Sequence, residues 1–229
     1  MRVEPFTIGS YVHVVKRGAR GMEIAREESD RRRFLKMLYL LNDKHFDKDW
    51  YFNKEAKGLY ERPAHWPPRE PVVEVSAFTL MPNHFHLILR EIVDGGVSLF
   101  MKRLGQSLTK YYNEKYEEKG SIFQGSYRSK TIHDDTYLRY VAAYVLVKNV
   151  FELYPYGGLS SATKDFDSAW VWACAYNYSS LKSLFTKNEG SPIVSNDILE
   201  ELFDSESFYS FSKDMILGGR WAEEESTFE

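Results

Sequence analysis

VVEVSAFTLMPNHFHLILRE, residues 72–91, decides the fold. Residues 72–80 are rich in β-branched and aromatic side chains and read as a strand. Met81-Pro82-Asn83 follows as a turn, and residues 84–91 read as a second strand. A short turn between two strands makes an antiparallel hairpin. Side chains two apart on a strand share a face, so His84 and His86 project together while Phe85 points into the core on the other face. Two imidazoles so placed can hold one divalent ion from one side and leave coordination positions for water and substrate. Many H-x-H pairs are structural or surface histidines. This one follows a turn, beside a strong strand, in a basic region.

Upstream, residues 10–17 alternate as a strand bounded by Gly18 and Gly21. Residues 27–42 read as a helix, with Phe34, Leu35, Leu38 and Leu41 at helical spacing and Ser29 or Asp30 as cap. Residues 43–71, proline-rich near their end, read as an insertion or long loop. Downstream, residues 98–116 read as a helix capped by Ser98, with Leu104, Leu108 and Tyr111 or Tyr112 inward. Residues 121–132 read as one strand or a bent pair with a bulge at Gly125. Asp134 or Asp135 opens a helix over 135–149. The order β-α-β-β-α-β-α predicts an α+β fold: an antiparallel sheet with helices packed on it in a ferredoxin-like or RRM-like βαββαβ arrangement, plus a C-terminal helical tail. Residues 1–150 form the main domain, and residues 151–229 an acidic, mainly helical extension.

The chain has 229 residues, 43% hydrophobic and 16% aromatic, enough for a buried core. It has no apolar run of membrane-spanning length and no signal-peptide pattern, which predicts a cytoplasmic protein with no membrane partner. The single cysteine, Cys174, has no internal disulfide partner and reads as a plain thiol among aromatics. Residues 1–150 carry 25 Lys and Arg against 19 Asp and Glu; residues 151–229 carry 5 against 14. A basic body with an acidic tail suits a nucleic-acid binder whose tail lies off the binding face.

The ordered set of motifs resembles a known family. MPNHFHLIL (81–89) resembles the hallmark of the IS200-like, or REP-associated, single-tyrosine transposases of the HUH endonuclease superfamily. GSYVHVVKRGARGMEI resembles that family's first strand and glycine-rich turn, RRRFLKMLYLL its first helix, and SLFMKRLGQSLTKYYNEKY the helix after the histidine strand. GSIFQGSYRSKTIHDDTYLRYVAAYVLVKN resembles the following strand and tyrosine helix, and AYNYSSL (175–181) a tail element of the same family. The resemblance implies one Mg²⁺ or Mn²⁺ bound by His84, His86 and a third polar side chain on the tyrosine helix. It also implies tyrosine attack on single-stranded or hairpin DNA, leaving a 5′-phosphotyrosine and a free 3′-hydroxyl, with the reverse reaction joining a new strand. The chemistry is self-consistent: a divalent ion polarises the phosphoryl oxygen, and a phenol with pKa of about 10 is a weak nucleophile until its proton is drawn off. Relatives include dimers and chains that act alone, so a homodimer is open.

The helix over 135–149 offers Tyr137, Tyr140 and Tyr144. The family places its nucleophile one turn before an Asn or Gln that completes the metal site, just before an N-P dipeptide. AAYVLVKNV (142–150) stands there, which selects Tyr144, with Tyr140 one turn earlier as runner-up. The chain departs from the pattern: Lys148 lies four residues on, Asn149 five, and Val150 replaces the proline. On an α-helix Asn149 sits about 140° round from Tyr144. A π-type turn corrects this and makes Asn149 the third ligand; otherwise that ligand is lost, or Lys148 binds phosphate directly. Arg17, Arg20, Lys102, Arg103, Lys110, Arg128, Lys130 and Lys148 are the candidate DNA contacts, with Tyr111, Tyr112 and Tyr127 available to stack on bases. His13 reads as support for the histidine pair, a phosphate contact or a plain strand residue, and His133 is equally open. The residues leave three functions open: a DNA nicking and rejoining enzyme, a hairpin DNA- or RNA-binding module that has lost its chemistry, or a phosphodiesterase using water.

Overall fold

A computed structural model describes residues 6–47, 58–184, 191–195 and 197–219. Four strands, β1 (Tyr11–Arg17), β2 (Val73–Leu80), β3 (His84–Glu91) and β4 (Arg128–Ile132), form one antiparallel sheet in the order β2-β3-β1-β4. Helix α1 (Glu28–Leu40) joins β1 to β2, and α2 (Gly96–Tyr116) lies between β3 and β4. This is the expected βαββαβ, α+β arrangement. The β2–β3 hairpin closes where the Pro-Asn pair predicts, with the Met81 N–H bonded to the His84 carbonyl at 2.8 Å.

Strand alternation gives the sheet two apolar faces. Val12, Val14, Phe78, Phe85, Leu87 and Leu89 meet Phe34, Leu38, Phe100 and Leu104 of α1 and α2 in one core. On the other face Ala77, Ile88 and Ile132 are covered by the chain beyond β4. That segment comprises α3 (Asp135–Ala143), a π-helical turn (Tyr144–Lys148), α4 (Asn149–Glu152), α5 (Gly158–Ala162), α6 (Phe166–Ala175), α7 (Asp197–Leu202) and α8 (Ser205–Leu217). The acidic tail therefore packs on the same sheet face as the histidines, contrary to the expectation that it lies away from the binding face. The physical reason is that this face is apolar and has to be buried. Residues 178–180 run along the outer edge of β2: Leu80 N–H donates to Tyr178 O (2.8 Å) and Ser180 N–H to Phe78 O (2.9 Å).

Several boundaries differ from expectation. The helix after β4 passes through the π turn and ends at Glu152 rather than 149, because Val150 and Phe151 are buried and no proline stops it. Ser98 lies inside α2; Gly95 precedes the helix, and the buried Glu91 carboxylate accepts the Val97 N–H at 2.7 Å. The cap of α1 is Glu27, in a reciprocal box with Asp30, rather than Ser29 or Asp30. In 121–132 only β4 is a regular strand; Phe123 makes an isolated bridge to Gly18, and Gly125, at φ 146°, separates the two. Of the predicted loop 43–71, residues 48–57 fall outside the described residues, and the rest holds no helix or strand. Its start is pinned by Arg62 on Asp43 (2.5 Å) and Arg103 on the Asp43 carbonyl (2.6 Å).

Candidate active site

The histidine pair is built by strand pairing and a glycine turn. Register puts Arg17 opposite His84 and Val15 opposite His86, so all four side chains occupy one sheet face. His13, opposite Ile88, is the diagonal neighbour of His86 on that face. The turn after β1 wraps the hairpin tip: Gly18 N–H bonds to Asn83 O (2.7 Å) and Ile24 N–H to Pro82 O (2.8 Å). A Cβ at Gly18 would lie 2.2 Å from the Met22 carbonyl oxygen, so only glycine fits. Asn83, held at the tip, accepts from His84 Nδ1 at 2.6 Å through Oδ1, which leaves Nε2 with its lone pair.

His84 and His86 have ring centroids 4.9 Å apart at 74°. His13 Nε2 lies 2.9 Å from His86 Nδ1. His86 is 1% exposed, and its Nε2 has no hydrogen-bond partner among the described residues. Burial, with the charges of Arg17 and Lys148 adding, pushes the His84 pKa down to about 4. Burial, then Lys130, takes His13 to about 3. Burial, then the neighbouring histidines and cations, lowers His86 well below its ordinary value. All three are neutral imidazoles at neutral pH, the form that ligates a metal.

The π turn carries the other half. Asn149 N–H donates to Tyr144 O, the i→i+5 bond that absorbs the extra residue between tyrosine and asparagine. Thr79, opposite His86 on β2, donates its hydroxyl to Val145 O at 2.7 Å and ties the turn to the sheet. The buried Tyr144 ring lies 5.6 Å from His86 and 6.3 Å from His13. Tyr140 packs instead on Phe211 of α8 (5.3 Å), and Tyr137 lies under Lys130 (4.5 Å). Lys148 is buried, 4.9 Å from the Tyr144 ring centroid, and pairs with Glu152 at 2.6 Å. Asn149 is buried, with Nδ2 unpartnered among the described residues.

No group of three or more His, Cys, Asp or Glu that could hold a metal ion occurs among the described residues. A divalent ion would thus draw on the two imidazoles and a donor of another kind. The orphaned His86 Nε2 and the preset His84 tautomer fit that role. A depression of about 460 Å³ reaches His84 and is walled by Arg17, Asn83 and Glu152. A second, lined by Arg17 and Arg128 with Gln124 and Ser126, adjoins it through Arg17.

The other candidate contacts are dispersed. Arg20 is exposed on the glycine turn, at φ 56°. Lys102 and Lys110 are exposed on α2, on the far side of the sheet, along a groove of about 860 Å³ that also holds Tyr127. Arg103 binds the carbonyls after α1, and Tyr112 is buried with its hydroxyl on Glu23 O (3.1 Å). Tyr111 stacks under Arg33, and His133 is exposed. Cys174 is half-buried, and burial pushes its thiol up. Sequence reasoning missed Asn83, Thr79 and Glu152. Adjacency to His84 signals the first; the other two act across 66 residues and across a helical turn, with no local signature.

Residues 51–147 match the family model described as "Transposase IS200 like". This stretch spans the histidine strand and Tyr144. No curated protein matches the chain. A solved structure of a REP-associated tyrosine transposase bound to a REP hairpin is similar at 13% identity, covering 89% of this chain and 87% of that one, with a TM-score of 0.44. No helix among the described residues is long and apolar enough to cross a membrane. Over residues 51–147, then, the chain is similar to the IS200-like transposases.

Proposed function

We propose that the chain nicks and rejoins single-stranded DNA next to a hairpin, with Tyr144 as nucleophile and Mg²⁺ or Mn²⁺ held by His84, His86 and Asn149. The observation that carries this is the buried Tyr144 ring packed edge-on against His86, on the one sheet face that also presents His84. When bound, the ion supplies Lewis-acid polarisation of the scissile phosphate. The chain's own groups do the rest. Tyr144 Oη forms the new bond to phosphorus as the 3′-oxygen leaves, and the resulting 5′-phosphotyrosine keeps the energy of the broken diester for rejoining. Lys148, close to that ring, offsets charge gathering on the phosphoryl oxygens. Arg17 and Arg128, at the mouth, suit the flanking phosphates. Exclusion of water by the C-terminal helices favours rejoining over hydrolysis.

The second reading is a hairpin-binding module without chemistry, favoured by the burial of Lys148 against Glu152 where the family pattern has Asn or Gln. Incubation of the full chain with short single-stranded hairpins and Mn²⁺, followed by a denaturing gel, separates the readings. The proposal expects a covalent protein–DNA band that needs the metal and vanishes in Tyr144→Phe. Hairpin retention without a band supports the binding module, and cleavage without a band assigns the attack to water. A band that survives Tyr144→Phe moves the nucleophile elsewhere.

A further inference from the structure

We infer that His13 is a positioning residue for the metal site: it accepts the Nδ1 proton of His86 and so keeps His86 Nε2 free to ligate. This rests on the reading of His84 and His86 as ligands. The hydrogen bond between His13 Nε2 and His86 Nδ1 is 2.9 Å long, between rings 9° from parallel with centroids 5.2 Å apart. Both rings are 1% exposed, so the bond is shielded from water. Two proton arrangements satisfy it. In one, His13 donates, His86 carries its proton on Nε2, and that N–H is buried with no acceptor among the described residues. Such an unpaired buried donor is costly. In the other, His86 donates from Nδ1, and its orphaned Nε2 turns into a lone pair that a cation satisfies.

Asn83 plays the same part for His84: its carbonyl oxygen accepts from Nδ1, 2.6 Å away. Each imidazole of the pair thus has a separate side chain on Nδ1, one from the hairpin tip and one from β1. His13 is not itself a third ligand in this arrangement, because the nitrogen nearest His86 faces Nδ1 rather than Nε2. Orienting partners of this kind change metal affinity by about 10- to 100-fold.

The test is Mn²⁺ binding to the DNA-free full chain by isothermal titration, for wild type, His13→Leu, His13→Gln and His86→Ala, with thermal melts alongside. Leu cannot accept a proton; the Gln carbonyl can. Expected is a loss of affinity of about 10- to 100-fold in His13→Leu and recovery to within about threefold of wild type in His13→Gln. Wild-type affinity in His13→Leu, or equal weakness in both variants, overturns the inference. Wild-type affinity in His86→Ala would sink the histidine-pair reading itself, and this inference with it. Should the variants not fold, the wild-type chain suffices. Long-range ¹H–¹⁵N spectra with saturating Mg²⁺ are expected to show His86 protonated on Nδ1, and protonation on Nε2 overturns the assignment.

Discussion

Lys148 is an ammonium with 1% exposure whose counter-ion, Glu152, is 35% exposed and so remains hydrated. Lys148→Met keeps the length and the apolar stem and removes the charge. Since Glu152 is not stranded in the interior, the fold loses about 1 kcal/mol, a fall of roughly 2–4 °C in Tm at this chain length. Hairpin affinity is expected to drop about fivefold, the equivalent of about 1 kcal/mol; unchanged binding by fluorescence anisotropy removes Lys148 from the phosphate contacts. The histidine pair was legible from residues alone because strand period two is rigid, and His84 and His86 have no other arrangement on β3. The partners on their Nδ1 atoms were less legible. Asn83 is adjacent in sequence, but His13 reaches His86 only through the β1–β3 register.

At the level of elements, the π turn reconciles a tyrosine and an asparagine five apart. Its hold on the sheet is the Thr79 hydroxyl on Val145 O, and Thr79 Oγ1 also lies 3.1 Å from Ser179 Oγ. Thr79→Val keeps the shape but strips the donor. A cost of about 1–2 kcal/mol is expected in urea unfolding, with adduct formation falling more steeply than stability predicts, since the turn sets where Tyr144 sits. A loss of stability with full adduct yield breaks that link. The mismatch at Lys148 and Asn149 was visible in the sequence, and so was the π-type turn that absorbs it; what holds the turn was not, because that bond comes from β2.

A second element junction is electrostatic. Asp30, at the start of α1, accepts from Lys115 (2.5 Å) and Tyr116 (2.7 Å) near the end of α2. Burial disfavours its charge, but these hydrogen bonds outweigh burial and hold the carboxyl below its ordinary range. A depressed carboxylate contributes stability that is fully present above the unfolded value of about 3.9 and is lost as pH falls through the folded one. Asp30→Asn is expected to cost about 1.5–3 kcal/mol at pH 7. Its melting curve should converge on that of wild type as the pH drops below about 4. A gap that stays constant from pH 7 to pH 3 excludes the ionised carboxylate as its source.

At the scale of the molecule, the sheet has two cores, and the second is completed by the C-terminal helices. Phe166, Ala169, Leu181, Leu199, Phe203, Phe208 and Ile216 cover the side on which Ala77, Ile88 and the π turn lie. A chain stopped after Leu153 leaves that core open. It is expected to be insoluble or to bind hydrophobic dye strongly; a soluble monomer with a sharp melt contradicts this. The βαββαβ core was readable because its signals are local: periodicity, turns and caps. The docking of α5, α6, α7 and α8 was not, since charge balance suggests a detached tail while the apolar positions that bind it to the sheet are distant in sequence, as Phe208 is from Ala77 and Ile88.

The strip at residues 178–180 has one more effect. By occupying the backbone groups along the rim of β2, it closes that side of the sheet to strand addition by another polypeptide. Among the described residues the far rim, at β4, has no neighbour beyond it, and β4 is only five residues long, with Arg128 turned to solvent. Any continuous sheet shared between two copies must therefore be joined β4 to β4, through a short strand whose Arg128 and Lys130 set like charges along the seam and make such pairing sensitive to salt.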